Sequence, residues 1–398
     1  MRLLVVTNLY PPQEFGGYGR AMADFVWGLL QRGHQLQVLT SDAPYLEENS
    51  NTLTSKGRGP SGEPVERTLQ LKGSYEGGVQ ILQDLAACAA VDQANAQLLR
   101  GWLAQGWDGV LVGNLDLLGP ELLRVLLEPG IAVLHHVGFV TAPFTPSQMP
   151  AAPHYTLVAA SRAVRSSLVV EGLPVHQAPV VYPGARTELF GQQATGRAPA
   201  VDQVCALSAA GHSLGSPANP LKLGFAGLLM GSKGAHTLVQ AVIALHREGF
   251  SVQANLAGGS FQPGYRQQME RLLAEAGLAD QVRFVGQLDR QRLARFWGLH
   301  QIGVFASTYP EAFGIVAAEV MASGLALCTT GVGGAAELIE PGVSGVTFAP
   351  GDPASLVDGL RPLLKDPDHL QQLARTGQQR VRAHFSVKAA AEQLERLF

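Results

Sequence analysis

The 398-residue chain has only three cysteines, Cys88, Cys205 and Cys328. Because they are scattered and odd in number, they supply neither a disulfide framework nor the spacing of a metal-ligand cluster. Long hydrophobic runs are also lacking, since no stretch approaches the roughly 18 apolar residues of a membrane-spanning helix. The apolar run at the start is too short for a signal peptide. We therefore expect a soluble, reduced, cytoplasmic protein, with peripheral membrane contact left open.

Charge is scarce as well, because charged residues make up 15% of the chain and the net charge is −3. This composition lacks the basic excess of nucleic-acid-binding proteins, so we expect no nucleic-acid partner. Hydrophobic residues make up 46%, which supports sizeable cores and argues against disorder. The length predicts two or more domains.

The first forty residues contain the clearest structural unit. The strand RLLVVTN is followed by the Pro/Gly loop PPQEFGGYGR, the helical pattern AMADFVWGLLQ and the strand QLQVLT. Such βαβ units in series predict an α/β protein with parallel sheets. Residues 43–80 predict loops and at most a short strand, and a long helix is predicted over 79–104. GVLVGN and IAVLHH predict further strands.

A second βα series follows residues 191–219, whose Ala, Gly, Ser and Pro content is typical of a linker. It starts with the strand LKLGFAGLL and contains helical patterns over 234–248, 263–276, 289–299 and 313–322. Ligands of parallel sheets bind where the strands end. The informative loops are therefore 10–19, 135–147, 227–234, 257–264, 306–314 and 330–336.

Two glycine-rich loops follow predicted strands. Gly16–Gly19 (GGYG) opens a helix, where glycine permits close backbone approach and the helix N-terminus favours an anion. The alternative is a plain tight turn. GLLMGSKG, Gly227–Gly234, adds Lys233, a compact cation suited to a diphosphate. Its alternative is a solvated lysine, although a helix start disfavours a cation.

The stretch PEAFGIVAAEVMASG places Glu311 before a helix and Glu319 within its apolar second turn. With a helix starting near Phe313, the amides of Gly314, Ile315 and Val316 would face the strand ends. Carboxylates there suit sugar hydroxyls. The alternatives are a capping box from Thr308 to Glu311 and a structural salt bridge for Glu319.

The segment HHVGF ends a predicted strand with His135 and His136. A histidine at this edge suits contact with a sugar or acid–base chemistry, whereas the alternative is a structural histidine. The loop GVGGAAE repeats the glycine-rich pattern after the next strand of the second series. For Glu337, at the end of this loop, the alternative to a ligand role is compensation of the positive charge at a helix N-terminus.

Two further motifs point to ordinary structure. Asp366–Asp368 (DPD) has the spacing of a metal-binding carboxylate pair, but it precedes a helix, where aspartates act as caps. RQRLARFW, Arg290–Trp297, could contact anionic lipid. The favoured interpretation packs Leu293 and Trp297 on the sheet and leaves the arginines solvated.

Several motifs together resemble the family 4 retaining glycosyltransferases of GT-B fold (glycosyl transferases group 1). They occur in family order over nearly the whole chain: NLYPPQEFGGYGR, VVYPGA, GLLMGSKG, VRFVGQLDRQRL, PEAFGIVAAEVMASG, GVGGAAELIEPGVSG and FAPGD. The resemblance implies two Rossmann-like domains facing each other across a cleft that holds a nucleotide-sugar donor. It implies a first domain over 1–190, joined by a final helix within 377–398, a linker over 191–219 and a donor domain over 220–376.

The resemblance also implies residue roles. Glu319 matches the glutamate that holds the donor ribose, and Glu311 matches the one that contacts the donor sugar. Lys233 matches the lysine on the diphosphate, and His135, favoured over His136, matches a histidine near the reacting sugar. The implied catalytic residues are thus His135, Lys233 and Glu311, and the remaining donor-binding residues are Gly16, Gly17, Gly227, Phe313, Gly314, Ile315, Val316 and Glu319.

One position departs from the family pattern, because Leu228 stands where an arginine usually accompanies the lysine. The expected activity is retaining, metal-independent transfer of a hexose from a nucleotide diphosphate sugar, UDP- or GDP-linked, to an acceptor hydroxyl. No other cofactor is expected. The acceptor, a sugar, lipid or small molecule, would contact residues near 43–80 and 138–150. The alternatives are a non-catalytic nucleotide-sugar-binding scaffold, which Leu228 favours, and a phosphorylase or epimerase of the same fold.

Overall fold

The computed structural model describes residues 1–46, 56–191 and 211–398. These residues form two compact units, Met1–Pro183 with Val387–Phe398, and Gly184–Ser386. The division thus falls at Pro183 rather than at the predicted 190, and the segment that returns to the first unit starts at Val387 rather than near 377. Most of the predicted linker, residues 192–210, lies outside the described residues.

The first unit is built on a seven-stranded sheet with the order β3-β4-β2-β1-β7-β8-β9. All neighbouring pairs are parallel except β3 with β4. Its strands, including the separate hairpin β5–β6, are β1 Arg2–Val6, β2 Gln35–Ser41, β3 Lys56–Arg58, β4 Pro64–Leu69, β5 Gly73–Ser74, β6 Gln80–Ile81, β7 Gly109–Val112, β8 Ala132–Val137 and β9 Tyr155–Ala159.

The described part of the predicted loop region 43–80 contains four strands, β3 to β6, so the sequence interpretation was wrong there. β4 joins the main sheet beside β2, with Val65 opposite Val38. Its charged residues, Glu66 and Arg67, obscure the strand pattern, and its pairing partner is distant in sequence. The helix predicted over 79–104 begins only at Leu85, because residues 80–81 form β6 and Asp84 caps the helix through two backbone amides.

The helices of the first unit cover the sheet. The final helix packs on the first one at Gly28, where an added Cβ would lie 2.7 Å from the Cβ of Ala391. Glycine therefore permits this close approach. The helices are Tyr18–Gln31, Leu85–Leu103, Glu121–Leu126, Arg162–Val170 and Val387–Leu397.

The second unit contains a six-stranded, fully parallel sheet with the order β12-β11-β10-β13-β14-β15. Its strands are β10 Leu221–Ala226, β11 Val252–Ala257, β12 Val282–Gly286, β13 Ile302–Phe305, β14 Ala326–Thr329 and β15 Val346–Thr347. Its helices are Thr187–Phe190, Ala235–Arg247, Tyr265–Glu275, Arg290–Trp297, Ile315–Ala322, Pro353–Lys365 and Pro367–His384.

The helix patterns of the second series are confirmed to within two residues at each boundary. β10 and β13 are neighbours at the centre of the sheet although about eighty residues separate them along the chain. This topology brings the loops that follow the two strands to the same point at the sheet edge.

Candidate functional site

The loop after β10 holds the predicted phosphate-binding residues. It runs from Gly227 through a 3₁₀ turn, Gly231–Lys233, to Gly234, whose φ of 72° caps the next helix. A Cβ at Gly234 would lie 2.0 Å from the carbonyl oxygen of Ala306, just after β13. Only glycine fits this close, left-handed position, which holds the loop against its neighbour.

Lys233 and Glu311, 78 residues apart, meet at this point. The Lys233 Nζ donates to the Glu311 Oε1 over 2.6 Å, and the Ser307 hydroxyl donates to the same oxygen over 2.6 Å. The two charged side chains are 32% and 17% exposed, so a ligand can reach them. Because the Thr308 amide donates instead to the Ser232 carbonyl, the capping-box alternative for Glu311 is wrong.

The helix after Glu311 begins at Ile315 rather than near the predicted Phe313. Gly314, with φ 90°, is its cap, and this left-handed conformation prevents an earlier start. The amides of Ile315 and Val316 therefore belong to the first turn, whereas the Gly314 amide lies in the preceding bend. The Phe313 ring is buried, 6.0 Å from the Phe385 ring, so Phe313 can offer only its backbone.

The loop after β14, within GVGGAAE, fixes the backbone of Glu311. The Gly334 amide donates to the Glu311 carbonyl over 2.7 Å. A Cβ at Gly333 would lie 2.4 Å from that carbonyl oxygen, and one at Gly334 would lie 2.2 Å from the carbonyl oxygen of Ala312. These glycines thus serve close backbone packing that orients a neighbouring acid.

Glu319 lies on the buried face of the helix Ile315–Ala322, where its side chain is 1% exposed. The Arg290 guanidinium is 3.8 Å from the Glu319 Oε1, which makes a charge pair longer than a direct hydrogen bond. The salt-bridge alternative therefore agrees with the observed pair of Glu319 with Arg290. A charged partner is physically required here, because an unpaired buried carboxylate is costly.

Arg290 departs from the expectation that the arginines of its helix are solvated. It is the first residue of the helix Arg290–Trp297, and its side chain is 21% exposed. Leu293 and Trp297 are buried, as predicted for the packing face. Leu228, the departure from the family pattern, is half-buried and brings no charge to the loop after β10.

The first unit has its own glycine loop at the end of β1. Gly16 has φ 75°, and Gly17 caps the helix Tyr18–Gln31. Both glycines are exposed, and no heavy atom lies within 4 Å of a Cβ built at Gly16. The backbone there is open to a ligand, as an anion-binding helix start requires.

The two histidines at the end of β8 point to opposite faces of the sheet, as successive strand residues do. His136 packs in the core, with its Nε2 2.8 Å from the Val181 carbonyl. His135 lines a cavity, and its Nδ1 lies 2.9 Å from the Tyr155 hydroxyl. Burial, together with the neighbouring His136, lowers the pKa of His135 to about 3, so its imidazole is neutral at pH 7.

This cavity of about 240 Å³ lies within the first unit, at the strand ends of β7 and β8. Its polar lining residues include Asn114 and Asp116 besides His135. The sequence interpretation missed Asp116, although the loop after β7 obeys the same strand-end rule as the loops it named. It also missed Ser307 and Arg290, whose contacts join segments that are distant along the chain.

Two broader properties concern the whole described part of the chain. Across these residues, no helix is long and apolar enough to cross a bilayer. Within the same ranges, no three His, Cys, Asp or Glu side chains are grouped so as to hold a metal ion. Independence of a metal stays a prediction. Asp366, from the discounted DPD motif, caps a helix by accepting from the His369 amide over 2.9 Å.

Known proteins resemble this chain in sequence. The family model described as Glycosyl transferases group 1 matches residues 211–380. The chain is 28% identical to a glycogen synthase of Mycobacterium tuberculosis, over 98% of this chain and 92% of that protein. It is 30% identical to a D-inositol 3-phosphate glycosyltransferase of Xylanimonas cellulosilytica, over 74% of this chain and 68% of that protein.

The fold also matches a solved structure. The crystal structure of Anabaena HepE in complex with UDP and glucose aligns with a TM-score of 0.71 at 19% identity, covering 100% of this chain and 98% of that one. With its parallel α/β sheets, strand-end loops and this similarity along the sequence, the chain belongs to the glycosyl transferases group 1 family and has the GT-B type of fold.

Proposed function

We propose that this protein is a retaining glycosyltransferase that moves a hexose from a nucleotide diphosphate sugar, UDP- or GDP-linked, to an acceptor hydroxyl. The contact between Lys233 and Glu311 at the edge of the second sheet carries this proposal. An ammonium and a carboxylate thus lie within reach of one ligand, beside glycine loops and a helix N-terminus.

The departing diphosphate gains negative charge as the glycosidic bond breaks. The Lys233 ammonium and the amides of Ile315 and Val316 are positioned to stabilise that charge electrostatically. When a diphosphate enters, it competes with Glu311 for the Lys233 ammonium. Because this cation and the helix dipole offset the charge, we propose that the reaction needs no metal ion.

The two acids serve the uncharged parts of the donor. Once Lys233 contacts phosphate instead, Glu311 can accept from hydroxyls of the donor sugar. The Ser307 hydroxyl still donates to the Glu311 Oε1 and keeps the carboxylate in position. Glu319 accepts from the ribose hydroxyls, and Arg290 is its charged partner. Gly16 and Gly17 of the first unit offer open backbone of the kind that binds an anion.

Retention follows from front-face attack in this proposal, because the sequence offers no residue that stands out as a covalent nucleophile. His135 acts as a neutral hydrogen-bonding group rather than as a cation, since its pKa lies near 3. The donor is expected in the cytoplasm, which agrees with the location predicted from composition. HepE, solved with UDP and glucose, makes UDP the first nucleotide to test.

A second candidate function is a non-catalytic nucleotide-sugar-binding subunit. Leu228 favours it, because the family's usual second phosphate cation is missing at that position. Acceptor-dependent release of nucleotide from a donor separates the two functions. A phosphorylase would instead require free phosphate, and an epimerase would turn over without any acceptor.

The experiment is a thermal-shift screen with UDP, GDP, ADP and TDP on the wild type and on Glu319→Gln. A nucleotide present at 100 times its dissociation constant should stabilise the protein by about 2.7 kcal/mol. We expect one nucleotide to give this shift and Glu319→Gln to lose most of it. Glu63→Gln is the matched control, since Glu63 is equally buried but lies in the first unit.

Each result of this screen has a different meaning. A shift that survives in Glu319→Gln would remove the ribose role from this residue. An absent shift with every nucleotide would contradict the donor proposal as a whole. A shift lost equally in Glu63→Gln would mean that general destabilisation, rather than a lost ribose contact, explains the effect.

A further inference from the structure

The cavity at the strand ends of β7 and β8 has a lining unlike that of the donor loops. It contains the amide of Asn114, the carboxyl of Asp116 and the neutral ring of His135, with Phe139 and Thr141 at the side. Its volume of about 240 Å³ corresponds to roughly eight waters at about 30 Å³ each, so several ligand hydroxyls can replace water there.

The polar groups of this lining suit hydroxyls. Asp116 is exposed, and Asn114 is buried. Partial desolvation raises the pKa of the Asp116 carboxyl, but neither of its protonation states is a cation. The carboxyl and the amide can accept from or donate to hydroxyls. Phe139, which is 42% exposed, adds an apolar surface for the carbon face of a ring.

Positive charge is missing from the lining of this cavity. None of the described residues that line it is a lysine or an arginine, and His135 stays neutral because its pKa is near 3. Lys72, whose backbone amide donates to the Leu117 carbonyl nearby, has its ammonium held 2.8 Å from an Asp92 oxygen.

The flanking sequence supplies no cation either. Residues 138–150, which include Phe139 and Thr141 of the lining, contain no charged residue at all. A phosphate monoester carries about −1.5 to −2 charges at neutral pH. Such a group needs a paired cation when it leaves water, and Asp116 would repel it.

We propose that this cavity binds the acceptor and selects an uncharged polyhydroxyl compound, a sugar or cyclitol, against its phosphate ester, with Asp116 as the specificity-determining residue. This inference rests on the proposed glycosyl transfer. The proposed acceptor differs in charge from the phosphate in the name of one relative, D-inositol 3-phosphate glycosyltransferase. It is uncharged, like the glycogen in the name of another relative, glycogen synthase.

The test compares matched pairs of acceptors: glucose with glucose 6-phosphate, and myo-inositol with inositol 3-phosphate. Binding to the donor-free protein is measured by saturation-transfer NMR, and transfer is measured as acceptor-dependent release of nucleotide. We expect the uncharged member of at least one pair to bind and react, with at least a tenfold advantage over its phosphate ester in both measurements.

Asp116→Asn should lower binding of the uncharged member about tenfold, because a hydrogen bond to a charged group is lost. Asp116→Lys should shift the preference towards the phosphate ester. Asp108→Asn is the matched control, since it makes the same charge change before the start of β7, where Asp108 accepts from the Arg2 amide over 2.6 Å. That control should leave the acceptor preference unchanged.

Three results would overturn the inference: equal or better binding of the phosphate esters, no binding of any uncharged member, or an unchanged preference in both Asp116 variants. Each of these is read from the NMR measurement without a donor. Failure of the proposed function would show differently, as absent nucleotide binding or absent transfer while the acceptor preference in NMR stands.

Discussion

The strand ends of the two sheets differ in the charges that their side chains carry. In the second unit the edge carries two pairs of opposite charges, Lys233 with Glu311 and Arg290 with Glu319. In the first unit the residues at the end of β8 are histidines kept neutral by burial. The difference follows from desolvation, which tolerates charges that are paired and otherwise favours the neutral form.

Under the proposed function, this difference matches two kinds of ligand chemistry. A diphosphate can replace Glu311 as the anion beside Lys233, a cation that is already held in place, so the second-unit edge suits the proposed donor. Hydroxyl groups need hydrogen-bond donors and acceptors but no cation, so the first-unit edge, with its neutral histidines and Asp116, suits the proposed acceptor. The same βα architecture therefore supports two chemistries, and the side chains at the strand ends decide between them.

The largest expected effect comes from breaking the charged edge. Lys233→Ala or Glu311→Ala should lower kcat on the order of 10²–10³-fold, as the loss of a preorganised charge-stabilising group does. Folding should be intact, because partly exposed ion pairs contribute about 1 kcal/mol or less. Steady-state kinetics and a melting curve measure the two effects, and near-normal turnover in either variant would refute the assigned roles.

Glu270→Ala is the control for that experiment. It removes a carboxylate whose ion pair with Arg266 spans 2.8 Å on another helix of the second unit. Its kcat should match that of the wild type. A comparable loss in this control would mean that charge removal anywhere in the unit lowers activity.

The two buried histidines of the first unit should make its stability sensitive to acid. The pKa values of His135 and His136 are lowered by burial to about 3 and about 4, so the unfolded chain binds more protons below pH 6.5. Their contribution to stability is fully present above pH 6.5 and is lost as the pH falls towards the folded values, by about 1.4 kcal/mol per pH unit for each histidine.

The second unit provides the comparison. There burial lowers the pKa of His300 to about 4, and His236, which is half-buried, has a smaller downward shift. Hydrogen exchange of β1 and β10 amides at pH 7 and pH 5, corrected for intrinsic rates, should show a larger loss of protection in the first unit. An equal or larger loss in the second unit would contradict this account.

A smaller effect should come from Ser307, which positions Glu311 through a 2.6 Å hydrogen bond. Ser307→Ala should lower kcat about tenfold, because hydrogen bonds to charged groups contribute about 1.5–3 kcal/mol. Nucleotide affinity should barely change, and Ser307→Thr, which keeps the hydroxyl, should recover most of the rate. A loss of affinity equal to the loss of kcat would indicate a structural role instead.

The smallest effect concerns Asp366, the cap of the helix Pro367–His384. Asp366→Ala should lower the free energy of unfolding by about 1 kcal/mol, the usual contribution of such a cap. Nucleotide affinity and turnover should be unchanged. Chemical denaturation and the nucleotide titration measure the two, and a metal-dependent loss of activity in this variant would revive the metal-site interpretation.

The sequence by itself determined the order of βα units and the residues that follow their strands. Hydrophobic periodicity and glycine placement are local signals, so they predicted four helices of the second unit to within two residues. They failed at β4, whose pattern is interrupted by Glu66 and Arg67 and whose pairing with β2 is not local. They placed the start of one helix near Phe313, two residues early, because the left-handed Gly314 caps this helix and lets it begin only at Ile315.

Only the tertiary structure decided which of these residues touch. The pair of Lys233 with Glu311 spans 78 residues, and it forms because β10 and β13 are neighbours in the sheet. Alternation along β8 shows that His135 and His136 face opposite sides, but both sides of this strand are buried. Local pattern therefore cannot tell which side holds a cavity, since that depends on what the rest of the chain packs against each face.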